Sequence, residues 1–351
     1  MRTISKETFY SRISEKIASG RIPETVTLEV TYGCNLRCVH CYNPVHRPLP
    51  HELKKEEIFG LLRQMKELGV LSLTFSGGEP FCRADIFDLL LEAKQLGFVL
   101  TLITNATLLT DQIAAELEKI GHVFLDISLY GTTRATYEQV TGIPGSFERF
   151  MKGLKSVSKR KIPVCIQMPV MTLNAGEIDN AQELCRTLGL RFRTCVEIRP
   201  KSNGDTTPLN YRLSPDEKLA FYSQETSGHY ESRDYSRLHD ERFLDCACGQ
   251  TQFAITPAAE MNLCAAFPIP KFDLRKGTIR EGWKILKQTA DQAKPNHSFH
   301  CTHCEVRSFC RQGRNDAYLE TGNMSKCLAH FRELALLEKA KYDAATAPEL
   351  A

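Results

Sequence analysis

The hydrophobic pattern changes period repeatedly along the first part of the chain. Short β-rich runs at Val26–Thr31, Leu71–Ser76, Phe98–Thr104, Val123–Leu129, Val164–Met171 and Arg191–Ile198 alternate with amphipathic stretches. Those stretches, at Lys55–Leu68, Ile86–Leu96, Gln112–Ile120, Phe147–Val157 and Ile178–Leu188, carry apolar residues at helical spacing. Gly69, Gly97, Gly121 and Gly189 each close one of them, as glycines do at helix C-termini. Repeated strand–helix units predict an α/β fold with parallel strands, in an open sheet or a partial barrel.

Polar residues interrupt the strands at period two: Thr27, Glu29 and Thr31, then Ser72, Thr74 and Ser76, then Asp126 and Ser128. Gln167 stands alone in an apolar fifth strand. A parallel strand covered on both faces reads almost continuously apolar. The alternation therefore predicts a lumen that holds a polar ligand, with satisfied core polar groups or an edge strand as the plainer reading of any single position. After Pro200 the pattern breaks up. KSNGDTTPLNYRLSPDE is rich in turn formers, and Leu219–Arg242 reads as a polar helix with loops. The expected division is residues 1–215 for the barrel with a short N-terminal helix, 216–244 for a linker and 245–351 for a small cysteine-rich domain.

Composition narrows the field. At 351 residues, 42% hydrophobic and 25% charged, the chain suits two soluble domains. A formal charge of +3 with no long basic run gives no ground for nucleic-acid binding. The first residues lack the apolar core of a signal peptide, and no run of membrane-spanning length occurs. Fourteen cysteines without an export signal predict metal or redox chemistry in a reducing cytoplasm, not disulfides.

Three of these cysteines, Cys34, Cys38 and Cys41, form C-N-L-R-C-V-H-C just past the first strand, where parallel barrels place their active sites. Three thiolates leave one iron of a cubane without a protein ligand. The second strand ends in Ser76-Gly77-Gly78-Glu79-Pro80, in which glycines let a ligand approach and the glutamate offers an acceptor for an amine. Taken alone, that tetrapeptide is equally an ordinary turn.

Together these residues resemble the radical S-adenosylmethionine (SAM) superfamily, over the strand–helix order through about residue 200. The resemblance implies a partial (β/α)6 barrel, with a [4Fe-4S] cluster on Cys34, Cys38 and Cys41 whose fourth iron chelates SAM. One electron then cleaves the sulfonium and yields a 5′-deoxyadenosyl radical that abstracts substrate hydrogen. It further implies that Gly77, Gly78 and Glu79 hold the methionine ammonium. His40 takes the place of an aromatic residue near adenine, Thr104-Asn105 resembles a Thr-Asn-Gly with Ala106 for glycine, and Ser128 meets the carboxylate or ribose. Val140 stands where some relatives carry an arginine. Asp126 and Gln167 are lumen candidates, structural or cofactor-binding.

The C-terminal pattern is Cys246-Ala-Cys248, Cys264, Cys301-x2-Cys304-x5-Cys310 and Cys327, with His300 and His303 beside the second pair. Spacing alone leaves a structural zinc site open. Behind a radical SAM barrel, the segment resembles the SPASM extension, which houses auxiliary [4Fe-4S] clusters. The resemblance implies one cluster on Cys301, Cys304, Cys310 and Cys327, and a second on Cys246, Cys248 and Cys264 with a position open, closed by a non-cysteine residue, or absent. Ala259 replaces a family glycine, and Arg314 the cysteine expected three residues past Cys310. Cys82, Cys165, Cys185 and Cys195 read as buried inert thiols. Arg199, ending the sixth run, reads as a carboxylate grip or as a solvated loop charge.

The resemblance implies an enzyme that modifies a ribosomally made peptide through a thioether or carbon–carbon crosslink, with an electron donor such as flavodoxin or ferredoxin. Only 33 residues precede Cys34, too few for the fused leader-binding domain that many maturases carry, so a leader would need a separate leader-binding protein or the barrel surface. A sulfatase-maturing activity is disfavoured, because Ala265 stands where that branch has its aspartate. The alternative is oxidation or tailoring of a small molecule in cofactor, haem-derivative or antibiotic pathways. A metal-binding adaptor without turnover is the third reading.

Overall fold

The computed structural model describes residues 15–17, 19–224, 243–244, 246–265 and 267–346. Six parallel strands come first: β1 (Thr25–Thr31), β2 (Ser72–Gly77), β3 (Val99–Thr104), β4 (Val123–Ser128), β5 (Val164–Pro169) and β6 (Arg191–Cys195), each paired with its predecessor. They make the parallel wall of a partial barrel, an α/β architecture. Helices α1 (Lys55–Leu68), α2 (Ile86–Gln95), α3 (Asp111–Ile120), α4 (Arg134–Thr141), α5 (Ser146–Ser158) and α6 (Ile178–Thr187) make the crossovers.

The alternation in the strands divides their two faces. Val26, Leu28, Leu73, Phe75, Leu100 and Leu102 are fully buried in a core that includes Ile58, Leu62, Met65, Leu89 and Leu90 of α1 and α2. Between them Thr27, Ser72, Thr74 and Ser76 remain only partly covered. α1 starts where the Lys54 amide donates to Glu57 Oε2 at 2.7 Å, and it stops at Gly69, with φ 95°. α4 goes unnoticed in the sequence pattern. It has eight residues, is capped by Thr133 and is only lightly apolar; its buried Tyr137 packs on Phe150 with ring centroids 5.0 Å apart.

The cysteine-rich region does not begin a new sheet. β7 (Gln252–Ile255) pairs parallel with β1, and β8 (Glu260–Asn262) and β9 (Phe272–Asp273) follow antiparallel, giving the order β6-β5-β4-β3-β2-β1-β7-β8-β9. The remaining helices are α7 (Pro215–Gln224), α8 (Ile279–Gln292), α9 (Arg314–Thr321) and α10 (Ala329–Thr346). Most of the expected linker 216–244 lies outside the described residues, as does most of the helix-and-loop reading of Leu219–Arg242. Ala106 and Ala259, the two alanines at family glycine positions, both keep left-handed backbone, with φ of 60° and 66°. That conformation costs an L-residue roughly 1 kcal/mol. No helix among the described residues is long and apolar enough to cross a membrane.

Candidate functional site

The loop Tyr32–Tyr42 leaves the end of β1 and is pinned through its backbone. The amides of Arg37 and Val39 donate to the carbonyls of Thr141 and Val140, each at 2.9 Å. Val140 is fully buried, so the position at which some relatives carry arginine here serves the loop through its carbonyl. The Tyr32 amide donates to Glu52 Oε1 at 2.8 Å, and the Tyr42 hydroxyl donates to Glu29 Oε1. Glu29 lies on the lumen side of β1, and burial pushes its carboxyl up to about 7.

Gly77 and Gly78 owe their identity to this loop. A β-carbon on Gly77 would sit 2.3 Å from the Thr31 carbonyl oxygen, and one on Gly78 would sit 2.2 Å from that of Gly33. Glu79 differs from expectation. Its carboxylate is buried and accepts from Thr104 Oγ1 and the Asn105 amide, both at 2.8 Å, and from the Phe81 amide at 3.2 Å. It ties the end of β2 to the end of β3 and does not line the adjoining cavity.

That cavity, about 180 Å³, is lined by Cys34, Cys38, Cys41, His40, Gly77, Gly78, Thr104, Asn105, Ser128 and Tyr130. The Asn105 side-chain Nδ2 lies 3.9 Å from Cys34 Sγ and donates to Asn35 Oδ1 at 3.0 Å. Tyr130 lines this cavity with Cys38 and Ser128, a residue that pattern reading missed although it lies in the same I-S-L-Y-G run. His40 packs on Tyr130, with centroids 5.3 Å apart. Its Nδ1 is buried without a partner, and burial lowers its pKa to about 4, so the ring is neutral.

The donor set suits a multi-metal group. Burial raises the pKa of all three thiols, Cys41 to about 11, and the neighbouring sulfurs raise Cys38 and Cys41 further. Such thiols surrender their protons to a cation. Among the described residues no three donors converge on a single metal ion. The three sulfurs instead stand round one cavity, and an iron–sulfur cubane takes one thiolate per iron.

Gln167 opens elsewhere, on a second cavity of about 250 Å³ lined by His40, Tyr42, Gln167, Cys195, Glu197, Arg199, Ser202, Ala265 and Leu319. His40 thus stands in both walls. Ala265 places the residue after Cys264 against this space, with no side-chain base to offer. Asp126 is engaged by Arg193 on the edge strand. Of the four cysteines expected to be buried and inert, Cys185 is buried, Cys82 is exposed and Cys195 faces the second cavity.

Two further thiol groups lie in the C-terminal region. Cys301, Cys304, Cys310 and Cys327 line one cavity of about 50 Å³ with Arg307, Arg314 and Arg332, while His300 and His303 are exposed. Cys248 lies within hydrogen-bonding reach of Cys246 and Cys264, and those contacts, with burial, push its thiol far up.

Residues 28–185 match the model of the Radical SAM superfamily. Over 336 residues the chain is 27% identical to the AdoMet-dependent heme synthase of Methanosarcina barkeri, a match covering 88% of this chain and 95% of that protein. A second match, to the AdoMet-dependent heme synthase of Oleidesulfovibrio alaskensis, is 33% identical over 165 residues and covers 47% of this chain and 42% of that one. The fold is similar to Streptococcus suis SuiB bound to S-adenosylmethionine, with TM-score 0.71 and 17% identity over 93% of this chain and 83% of that one. It is also similar to native anSMEcpe with bound AdoMet and Cp18Cys peptide, with TM-score 0.66 and 18% identity over 92% and 97%.

Proposed function

We propose that this enzyme, which carries a radical SAM domain over residues 28–185, uses SAM cleavage at Cys34, Cys38 and Cys41 to oxidise or tailor a small molecule of the cofactor or haem type. The observation that carries the reading is the shared wall of the two cavities. His40 and Tyr42 border both, so a hydrogen acceptor formed in the first lies next to a substrate held in the second. When bound, the [4Fe-4S] cluster supplies the electron that splits the sulfonium of SAM into methionine and a 5′-deoxyadenosyl radical.

The rest is positioning by the chain. Gly77, Gly78, Thr104, Asn105 and Ser128 line the space for the nucleotide, and neutral His40, packed on Tyr130, offers a flat face beside it. Glu79 acts through the strand ends that it joins. No catalytic base is required, because hydrogen-atom abstraction needs only proximity of the reacting carbon. Ala265 accords with that. The four-thiol cavity is proposed to hold an auxiliary cluster, and Cys246, Cys248 and Cys264 a second. A flavodoxin or ferredoxin is the proposed electron donor.

The small-molecule substrate is favoured by the Methanosarcina relative, which matches along nearly its whole length. Maturation of a ribosomal peptide is the second reading, favoured by the shape shared with SuiB and anSMEcpe, whose structures include peptide-bound forms. Anaerobic reconstitution with iron and sulfide, dithionite reduction and SAM should release 5′-deoxyadenosine. With a deuterated haem-precursor porphyrin, label should enter the deoxyadenosine; entry from a peptide encoded beside the gene would select the second reading. Reduced, iron-loaded protein that leaves SAM intact would overturn both.

A further inference from the structure

The second cavity contains charge that the SAM site does not use. Cys195 ends β6, Glu197 and Arg199 carry its period-two alternation on, and all three line this space with Gln167 of the neighbouring strand. Glu197 is neutralised from behind. Lys218, 2% exposed, places its ammonium 3.1 and 3.2 Å from the two carboxylate oxygens.

Arg199 is held differently. Its Nε donates to Asp316 Oδ1 at 2.6 Å, while Asp316 Oδ2 accepts from the Gly313 amide at 3.0 Å at the start of α9. Asp316 is nearly sealed, with its side chain 7% exposed, whereas the Arg199 side chain keeps 34% of its surface open. Neither terminal nitrogen of Arg199 has a hydrogen-bond partner among the described residues. Between Glu197 and Arg199 the Ile198 carbonyl accepts from Arg212 Nη2 at 2.7 Å and Nε at 3.1 Å, and Arg212 is itself bonded to Glu320 of α9 at 2.6 Å. The guanidinium is therefore fixed at one edge by a buried carboxylate, on a clamped backbone, with its far edge directed at a cavity.

We propose that Arg199 is the anion-recognition residue of the substrate cavity, taking a substrate carboxylate on its two free terminal nitrogens while Asp316 aims it. The inference rests on the reading of this cavity as the substrate site and adds the chemical class of the substrate, an organic acid. A planar carboxylate matches two parallel N–H donors, which a lysine ammonium cannot supply. The Asp316 partner fixes the guanidinium before ligand arrives, so little side-chain freedom is lost on binding.

The test uses reconstituted full-length enzyme and two probes that differ only in charge, benzoate and benzamide, with inorganic phosphate as a third. Ligand-observed NMR titration should show benzoate binding, with benzamide absent and phosphate weaker. Arg199→Gln should weaken benzoate by roughly tenfold or more, the scale of a lost charge-assisted pair. Arg199→Lys should fall between, and Asp316→Asn should weaken benzoate while leaving the charge present. Iron content of Arg199→Gln should match wild type, which separates lost binding from lost folding; if that variant misfolds, Arg199→Lys decides. Benzoate binding that ignores these substitutions, is matched by benzamide or phosphate, or is absent from the wild type overturns the inference. Normal SAM cleavage alongside such a result leaves the radical SAM reading standing, and absent cleavage in the wild type brings down that reading instead.

Discussion

Both terminal nitrogens of Arg314 lie 3.7 Å from the sulfur of Cys301. The position expected to bear a cysteine thus presents a cation to the four-thiol cavity. Its guanidinium is braced by Phe299, with the ring centroid 5.0 Å away, and by Phe243 at 5.6 Å. The auxiliary cluster proposed for this cavity would gain negative charge on reduction, and a neighbouring cation would favour the reduced form. Arg314→Gln is expected to lower its midpoint potential by on the order of 60 mV, a tenfold change for one electron. A redox titration followed by EPR reads this directly, and an unchanged or raised midpoint would contradict it.

The three-thiol loop and the group Cys301, Cys304, Cys310 and Cys327 line different cavities that share no lining residue. Replacing Cys34, Cys38 and Cys41 together by alanine should therefore abolish 5′-deoxyadenosine formation and leave C-terminal iron in place. Iron and sulfide assays with Mössbauer spectra of the reconstituted variant check both halves. Loss of all iron would mean that the sites assemble as one unit.

Glu29 gives the fold a pH dependence of definite sign. Its carboxyl, ordinarily near 4.5, is pushed to about 7 in the folded chain by burial, against the Tyr42 and Tyr32 hydroxyls that favour the ionised form. A raised carboxyl means that the folded state holds a proton that the unfolded state has released. The stabilisation is complete below about pH 4.5 and disappears as pH rises through 7, worth on the order of 3 kcal/mol. Glu79, also raised to about 7 by burial, contributes in the same direction. Glu29→Gln should flatten the fall in urea stability between pH 5 and 7.5 without removing it. A slope identical to wild type would mean that Glu29 is already ionised at the lower pH.

Much of this arrangement is legible in the chain itself, and the rest fails for identifiable reasons. All six parallel strands follow from short β-rich runs set between helical stretches. Polar residues at period two mark β1, β2 and β4, where one face meets helices and the other a polar lumen. Arg191–Ile198 carries that alternation past the strand, yet nothing local distinguishes Arg199 from a solvated charge. Its partner Asp316 is 117 residues away and reaches it only through tertiary packing. Glu197 escapes notice for the same reason, since Lys218 becomes its partner only once α7 is in place. The glycines of Ser76–Pro80 are readable as a close approach, but the approaching group is the backbone of the cysteine loop. β7 is hidden differently: four residues that join β1, a strand over two hundred residues earlier, leave no periodic signal.

Glu79 decides between two uses of the Gly-Gly-Glu-Pro turn. With its oxygens accepting from Thr104, Asn105 and Phe81, the carboxylate joins the strand ends behind the cavity and is not among the lining residues. Glu79→Ala would leave three buried donors without their acceptor, each worth roughly 1–3 kcal/mol when unsatisfied, so thermal unfolding should shift down by several degrees. Glu79→Gln keeps one acceptor and the side-chain volume, and should restore most of that loss. The two roles separate on SAM itself: a positioning carboxylate predicts a Glu79→Gln Kd for SAM within about threefold of wild type, whereas a direct ammonium contact predicts a loss of roughly tenfold or more. Equilibrium dialysis of the iron-loaded variant against labelled SAM gives that ratio, and the larger loss would return Glu79 to the cavity wall.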